Sequence, residues 1–155
     1  MKKVAALVIC VACAGCFDKN DEQIRNDAHD AVIKEISKFN RDEPCKSMVF
    51  NKKAMFGEKA DEAFTTLCGD KFDTSKDVKI SDLKVYSRKE EVACGIVSGT
   101  SRAGKPLKTD FIYKGSSEAP VSIRPITVRY ADKELPKIMI QALNAYERFK
   151  DMSCK

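Results

Sequence analysis

The chain has 155 residues, of which 43% are hydrophobic and 33% charged, with a formal net charge of +5. That length suits one domain with a real core, and the sequence carries neither an internal repeat nor a low-complexity segment. His29 is the single histidine, so chemistry that needs two imidazoles is excluded.

The chain opens with a basic pair, Lys2 and Lys3, followed by an apolar run from Val4 to Ala12 and small residues before Cys16. An apolar run of about a dozen residues is too short to span a bilayer, which takes about 20. A charged start, a short apolar stretch and small residues mark a secretory signal. Cys13-Ala14-Gly15-Cys16 resembles the lipobox of bacterial lipoproteins, with Cys13 standing where that family usually has Leu. The resemblance implies a signal peptide over 1–15, cleavage before Cys16, and lipidation of Cys16 by several acyl chains, enough for a stable membrane anchor. Residue 17 is Phe rather than Asp, which by the same resemblance points to the outer membrane of the cell envelope. Residues 16–20 then form a short tether, and 21–155 a single domain.

Four cysteines remain beyond Cys16: Cys45, Cys68, Cys94 and Cys154. An even number in an oxidising compartment predicts two disulfides. Three pairings are possible; Cys45–Cys68 with Cys94–Cys154 is preferred, because the second bond would pin the last helix onto the sheet. No two of the four are spaced Cys-x-x-Cys, which argues against a structural zinc. Charge is uneven: the signal takes two of 28 basic residues, leaving 26 against 23 acidic. Residues 17–44 hold eight acidic and five basic side chains, and 84–129 hold nine basic and four acidic. A basic later half fits an acidic partner or an anionic surface.

Residues 21–39 read as an amphipathic helix capped by Asn20 or Asp21, with Ile24, Ala28, Val32, Ile36 and Phe39 on one stripe. His29 sits beside that stripe and reads as a surface or packing residue. Pro44 to Gly57 form a short helix or turn-rich stretch, and 58–68 a short helix stopped by Gly69. The period then changes to two. Val78 and Ile80 alternate, and Leu83 and Val85 alternate on the opposite parity, which predicts a bulge near Ser81-Asp82. Ser87 to Glu90 make a turn. Val92 to Ser98 are apolar or small on both faces and read as the central strand. Leu107 to Tyr113 form a third strand. Val121 to Tyr130 form a fourth, interrupted by Pro125. A last helix starts near Asp132, with a broad apolar face from Leu135 to Phe149 that suits packing flat on a sheet. The whole is an α+β domain: N-terminal helices, a four-stranded antiparallel meander, and a C-terminal helix packed on the sheet.

Gly99 to Pro106 match seven of eight positions of a Walker A loop, but Pro106 replaces the residue that holds magnesium, and a strand rather than a helix follows. The stretch reads instead as a flexible, basic hairpin loop, with Arg102, Lys105 and Lys108 together at its tip as candidate contacts for an acidic protein. No nucleophile has a base at a recognisable spacing and no carboxylate pair stands out. The expectation is therefore not an enzyme but a lipid-anchored binding module of the envelope, of the inhibitor, immunity or exclusion type, with no cofactor, no metal and no nucleic acid. The alternative is a structural accessory lipoprotein of a secretion or conjugation assembly.

Overall fold

The structure, a computed structural model, describes residues 19–38, 68–126 and 137–155. The expected signal peptide, the lipidation site Cys16, the stretch from Pro44 to Gly57, the helix from 58 up to Cys68, Cys45, the end of the fourth strand and the start of the last helix lie outside the described residues.

Helix α1 spans Asp21–Lys38. It starts where the sequence places it, because Asn20 and Gln23 form a reciprocal capping box. The Gln23 N–H donates to Asn20 Oδ1 at 2.9 Å, and the Asn20 N–H donates to Gln23 Oε1 at 2.9 Å. Two otherwise orphaned donors are satisfied in this way. Asp21 and Glu22 in the first turn and Lys38 in the last complement the helix dipole. Of the predicted stripe, Ile24, Ala28, Val32 and Ile36 are all buried, and Phe39 lies outside the described residues.

Four strands follow: β1 (Lys79–Ser87), β2 (Val92–Thr100), β3 (Pro106–Lys114) and β4 (Val121–Ile123). They form one antiparallel sheet in the order β1-β2-β3-β4, the predicted meander. The predicted bulge is also present. Ser81 pairs with Ile96, but Lys84 pairs with Cys94, so β1 uses three residues where β2 uses two. Asp82 absorbs the extra residue with a positive φ of 52°. A second register shift lies between Val85 and Ser87. At the far edge, β4 is only three residues long. It ends just before Pro125, where the sequence predicts an interruption because proline has no N–H to continue the ladder, and the expected continuation beyond residue 126 lies outside the described residues. The Arg124 N–H still donates to the Asp110 carbonyl at 2.9 Å, and Thr109 Oγ1 donates to the Arg124 carbonyl at 3.0 Å.

The central strand is covered from both sides. Ala93 and Val97 pack against α1: Ile24 and Ala28 cluster with Ala93 and Tyr113, and Val32 and Ile36 cluster with Phe72, Val97, Leu107 and Phe111. Helix α1 therefore runs alongside β2, from the β1–β2 turn toward the β2–β3 turn. Burying each large apolar side chain contributes about 1.5–3 kcal/mol before entropy is charged against it. Successive strand residues point to opposite faces, so Val92 and Cys94 belong to the other side. There they meet the C-terminal helix α2, Lys137–Ser153, through Tyr146, with Phe149 and Cys154 at the margin of the cluster. The expected Cys94–Cys154 disulfide is formed, with Cα atoms 6.1 Å apart. Cys68 is buried and disulfide-bonded as well, and its partner lies outside the described residues.

Helix α2 meets the sheet over less of its length than its apolar periodicity predicts. Tyr146 is its one buried residue, and Ile138 near its start is 75% exposed. Periodicity shows which residues share a helix face but not how much of that face finds a partner.

Two stability changes follow. Gly95 lies where a Cβ would come within 2.9 Å of Phe111 Cζ and 3.2 Å of Leu83 Cδ1. Phe111 is buried and has little room to move, so Gly95→Ala is expected to lower stability by about 1–3 kcal/mol through overpacking, measured by urea unfolding. Replacing Cys94 and Cys154 together with Ala removes a cross-link across 60 residues and is expected to cost about 2–4 kcal/mol. Hydrogen exchange should rise in α2 far more than in α1, since α2 has few other contacts with the sheet.

Candidate protein-binding face

Among the described residues, α2 covers only the Val92–Cys94 end of its side of the sheet, and the rest of that side is open. The pairing registers arrange the open side in rows across three strands. One row is Lys79, Ser98 and Lys108; the next is Ser81, Ile96 and Asp110; the third is Lys84, Cys94 and Ile112. Adjacent strands are about 4.8 Å apart, so Lys79 and Lys108 are about 10 Å apart across the first row. A groove of about 280 Å³ runs over this side, lined by Asp82, Lys84, Tyr86, Ile96, Asp110 and Lys150, with the Cys94–Cys154 disulfide at its foot. Tyr86 is 40% exposed and offers an aromatic surface there.

Charge on this face is partly paired and partly unpaired, the unpaired part comprising the exposed Asp82 carboxylate on the groove lining as well as several lysines. Lys150 Nζ sits 2.5 Å from Asp110 Oδ2, and Arg124 Nε 2.7 Å from Glu147 Oε1, which ties α2 to the sheet with paired charges. Glu147 beside Arg124 holds its guanidinium above its ordinary pKa. The Tyr146 hydroxyl, buried between these pairs, has no hydrogen-bond partner, and burial raises its pKa well above the ordinary phenol value. By contrast, the ammonium groups of Lys79, Lys84, Lys105 and Lys108 have no ion-pair partner among the described residues. All four are exposed.

The three predicted contact residues do not share one tip. The loop is pinned rather than flexible. Ser101 is fully buried and forms a bridge with Phe72. The Ser101 N–H donates to the Lys105 carbonyl at 2.7 Å, and the Lys105 N–H donates to Ser101 Oγ at 3.0 Å. The Arg102 N–H donates to the Lys71 carbonyl at 2.9 Å, and the Asp73 N–H to the Thr100 carbonyl at 2.8 Å. Arg102 is thereby held half-buried against the 71–73 segment, near enough to Asp73 to contribute to its lowered pKa. Lys105 is exposed in the turn, and Lys108 is exposed on the open sheet face. The reading from sequence missed Lys79 and Lys84. They have opposite parity in the chain, and only the extra residue at Asp82 brings both to one face. The parity slip of the apolar residues was the signal that contained them.

His29 is exposed on α1, with Nδ1 3.2 Å from Asp30 Oδ1. Among the described residues, no group of three or more His, Cys, Asp or Glu side chains gathers as metal ligands, and no helix is long and apolar enough to cross a membrane. Compared with known protein families, curated proteins and solved structures, the chain has no match.

The segment that pins the β2–β3 turn has its own anchor. Asp73 accepts from the Ser75 hydroxyl at 2.6 Å and from the Ser75 N–H at 3.1 Å. The Ser75 hydroxyl is the largest cause of the lowered Asp73 pKa, while burial opposes it. A lowered carboxyl pKa contributes stability above the ordinary carboxylate value, and this is lost as pH falls through the lowered value. Ser75→Ala is therefore expected to move the Asp73 pKa up toward its ordinary value and to shift the acid-loosening of the 71–73 segment to higher pH. Carboxyl NMR titration of the two proteins measures this directly.

Proposed function

We propose that this chain is a lipid-anchored module of the bacterial envelope that binds an acidic protein and occludes it, with the open sheet face as its binding surface. The reading is carried by one observation: Lys84, on the lining of a groove that contains Ile96 and Tyr86, and Lys79 and Lys108, in the neighbouring row of the same face, are exposed without ion-pair partners among the described residues. Apolar and aromatic groups inside a charged rim are what a specific protein contact uses. The centre is desolvated for affinity, and the rim steers approach and selects the partner. The face is also preorganised, since it lies on three paired strands and one end is fixed by a disulfide. A rigid surface loses little entropy on binding. The anchor belongs to the same proposal and is supported by the basic start, the apolar run and the lipobox-like Cys13-Ala14-Gly15-Cys16.

The test is affinity capture from envelope and periplasmic extracts, with residues 17–155 bearing intact disulfides as bait. One soluble acidic protein retained in equal amounts and released by salt is the expected result. The K79E/K108E double variant should bind that protein at least about tenfold more weakly at low salt, mainly through a slower on-rate. Equal retention by the double variant would remove this face from the proposal. Recovery of several membrane components together, indifferent to the substitutions, would favour an assembly accessory instead.

A further inference from the structure

The two ends of this domain are not equivalent with respect to the proposed anchor. Cys16 is three residues from Lys19, so the acylated residue lies within roughly 11 Å of it. Lys19 in turn precedes α1 by one residue and sits at a defined place. Its ammonium is 2.8 Å from Asp27 Oδ2 and 2.7 Å from Glu91 Oε2 in the β1–β2 turn. Arg88 in the same turn reaches back to Asp21 at 2.6 Å. Gly115, after β3, completes this end. Its N–H donates to the Glu91 carbonyl at 3.1 Å, and a Cβ there would fall 2.1 Å from Glu91 Oε2. Exposed ion pairs of this kind contribute little each. The position of the tether does not depend on them, because the first turn of α1 is already fixed by buried Ile24 against Ala93.

The opposite end carries the β2–β3 turn with the 71–73 segment strapped across it. Nine residues of β2 separate the two ends, or about 27 Å at the usual strand rise. The row of Lys79, Ser98 and Lys108 lies in the half of the sheet nearer that far end.

We infer that the domain stands on the membrane, with the β1–β2 and β3–β4 turns against the lipid headgroups and the β2–β3 turn pointing away. This rests on the lipid-anchor reading. The contact is imposed by the short tether and not by attraction to anionic lipid. At the near end the basic residues Lys19, Arg88 and Lys114 are paired with Asp27 and Glu91, with Asp21, and with Glu90. Lys89 in the β1–β2 turn and Arg25 in the first part of α1 are the exposed cations there without an ion-pair partner among the described residues. Lys79 and Lys108 of the open face lie in the half turned to the aqueous space, where a soluble partner reaches them without meeting the bilayer.

The chain contains no tryptophan, so single substitutions give clean fluorescent reporters. Lys89 at the near end and Lys105 and Lys76 at the far end are all exposed. The full-length lipidated K89W, K105W and K76W variants would be reconstituted in vesicles carrying a dansyl-labelled lipid, in one set zwitterionic and in the other anionic. With about 27 Å between the ends, energy transfer to the membrane should be at least about threefold stronger from the K89W protein than from either far-end variant, in both vesicle types. Flotation of the vesicles is scored first. A chain that does not float overturns the anchor, and the orientation with it. A chain that floats but transfers equally from both ends, or more strongly from K105W in anionic vesicles, overturns the orientation alone and places the basic face against lipid.

Discussion

The fold depends on one constraint: β2 has to be covered on both faces. Val92, Ala93, Cys94 and Val97 are all buried, and they point alternately to the two sides of the sheet. A two-layer arrangement would leave Val92 and Cys94 in water. The chain meets the requirement unequally. Helix α1 runs the length of β2 on one side and places its stripe over both ends of the strand. Helix α2 covers only one end on the other side, held there by Tyr146 and by the bond from Cys154 to Cys94. Gly95 belongs to the same constraint, because the Phe111 ring fills the space a side chain would take. The open half-face is what remains once the minimum cover is in place.

The bulge at Asp82 decides what that half-face displays. Without the extra residue, Ile80 and Leu83 would point to opposite sides, and one would lose its place against α1. The slip keeps Ile80, Leu83 and Val85 on the α1 side, where all three pack against the core. By the same step Lys79 and Lys84 turn together to the other side. The positive φ at Asp82 is a modest local cost, of order 1 kcal/mol for a non-glycine residue. Core packing on one face and a row of cations on the other follow from a single inserted position.

Much of this architecture was legible in the chain. Counting cysteines leaves three pairings open, of which the one with Cys94–Cys154 is preferred, whereas the α1 stripe, a cap at Asn20 or Asp21, the meander and the bulge near Ser81-Asp82 follow from periodicity and capping chemistry. These are local properties, written in neighbouring residues. The site was less legible because it depends on pairings between distant segments. Arg102 looked like the tip of a free loop, yet Lys71 and Asp73, some thirty residues earlier, hold its backbone and face its charge. The extent of α2 contact is hidden for a similar reason. Ile138 and Tyr146 share an apolar pattern, and only the tertiary arrangement buries one and leaves the other exposed. Lys79 and Lys84 were within reach of the sequence, since the parity slip that moved the apolar residues had to move their neighbours too.

The distribution of paired and unpaired charge gives the fold its polarity. Where cation and anion lie within 3 Å, as at Lys19 with Glu91 or Arg88 with Asp21, their fields cancel a short distance away. Unpaired lysines keep their field out to about a Debye length, some 8–10 Å at moderate salt. A partner approaching from solution therefore senses the open sheet face before it senses the β1–β2 end, even though both are rich in charge. A nearly neutral end lets the domain rest close to a surface of either sign, while the cationic face remains available to select an acidic protein. The two functions proposed for the chain, holding to the membrane and holding a partner, are in this way assigned to different parts of the surface, the paired-charge end beside the tether and the open sheet face from Lys84 to Lys108.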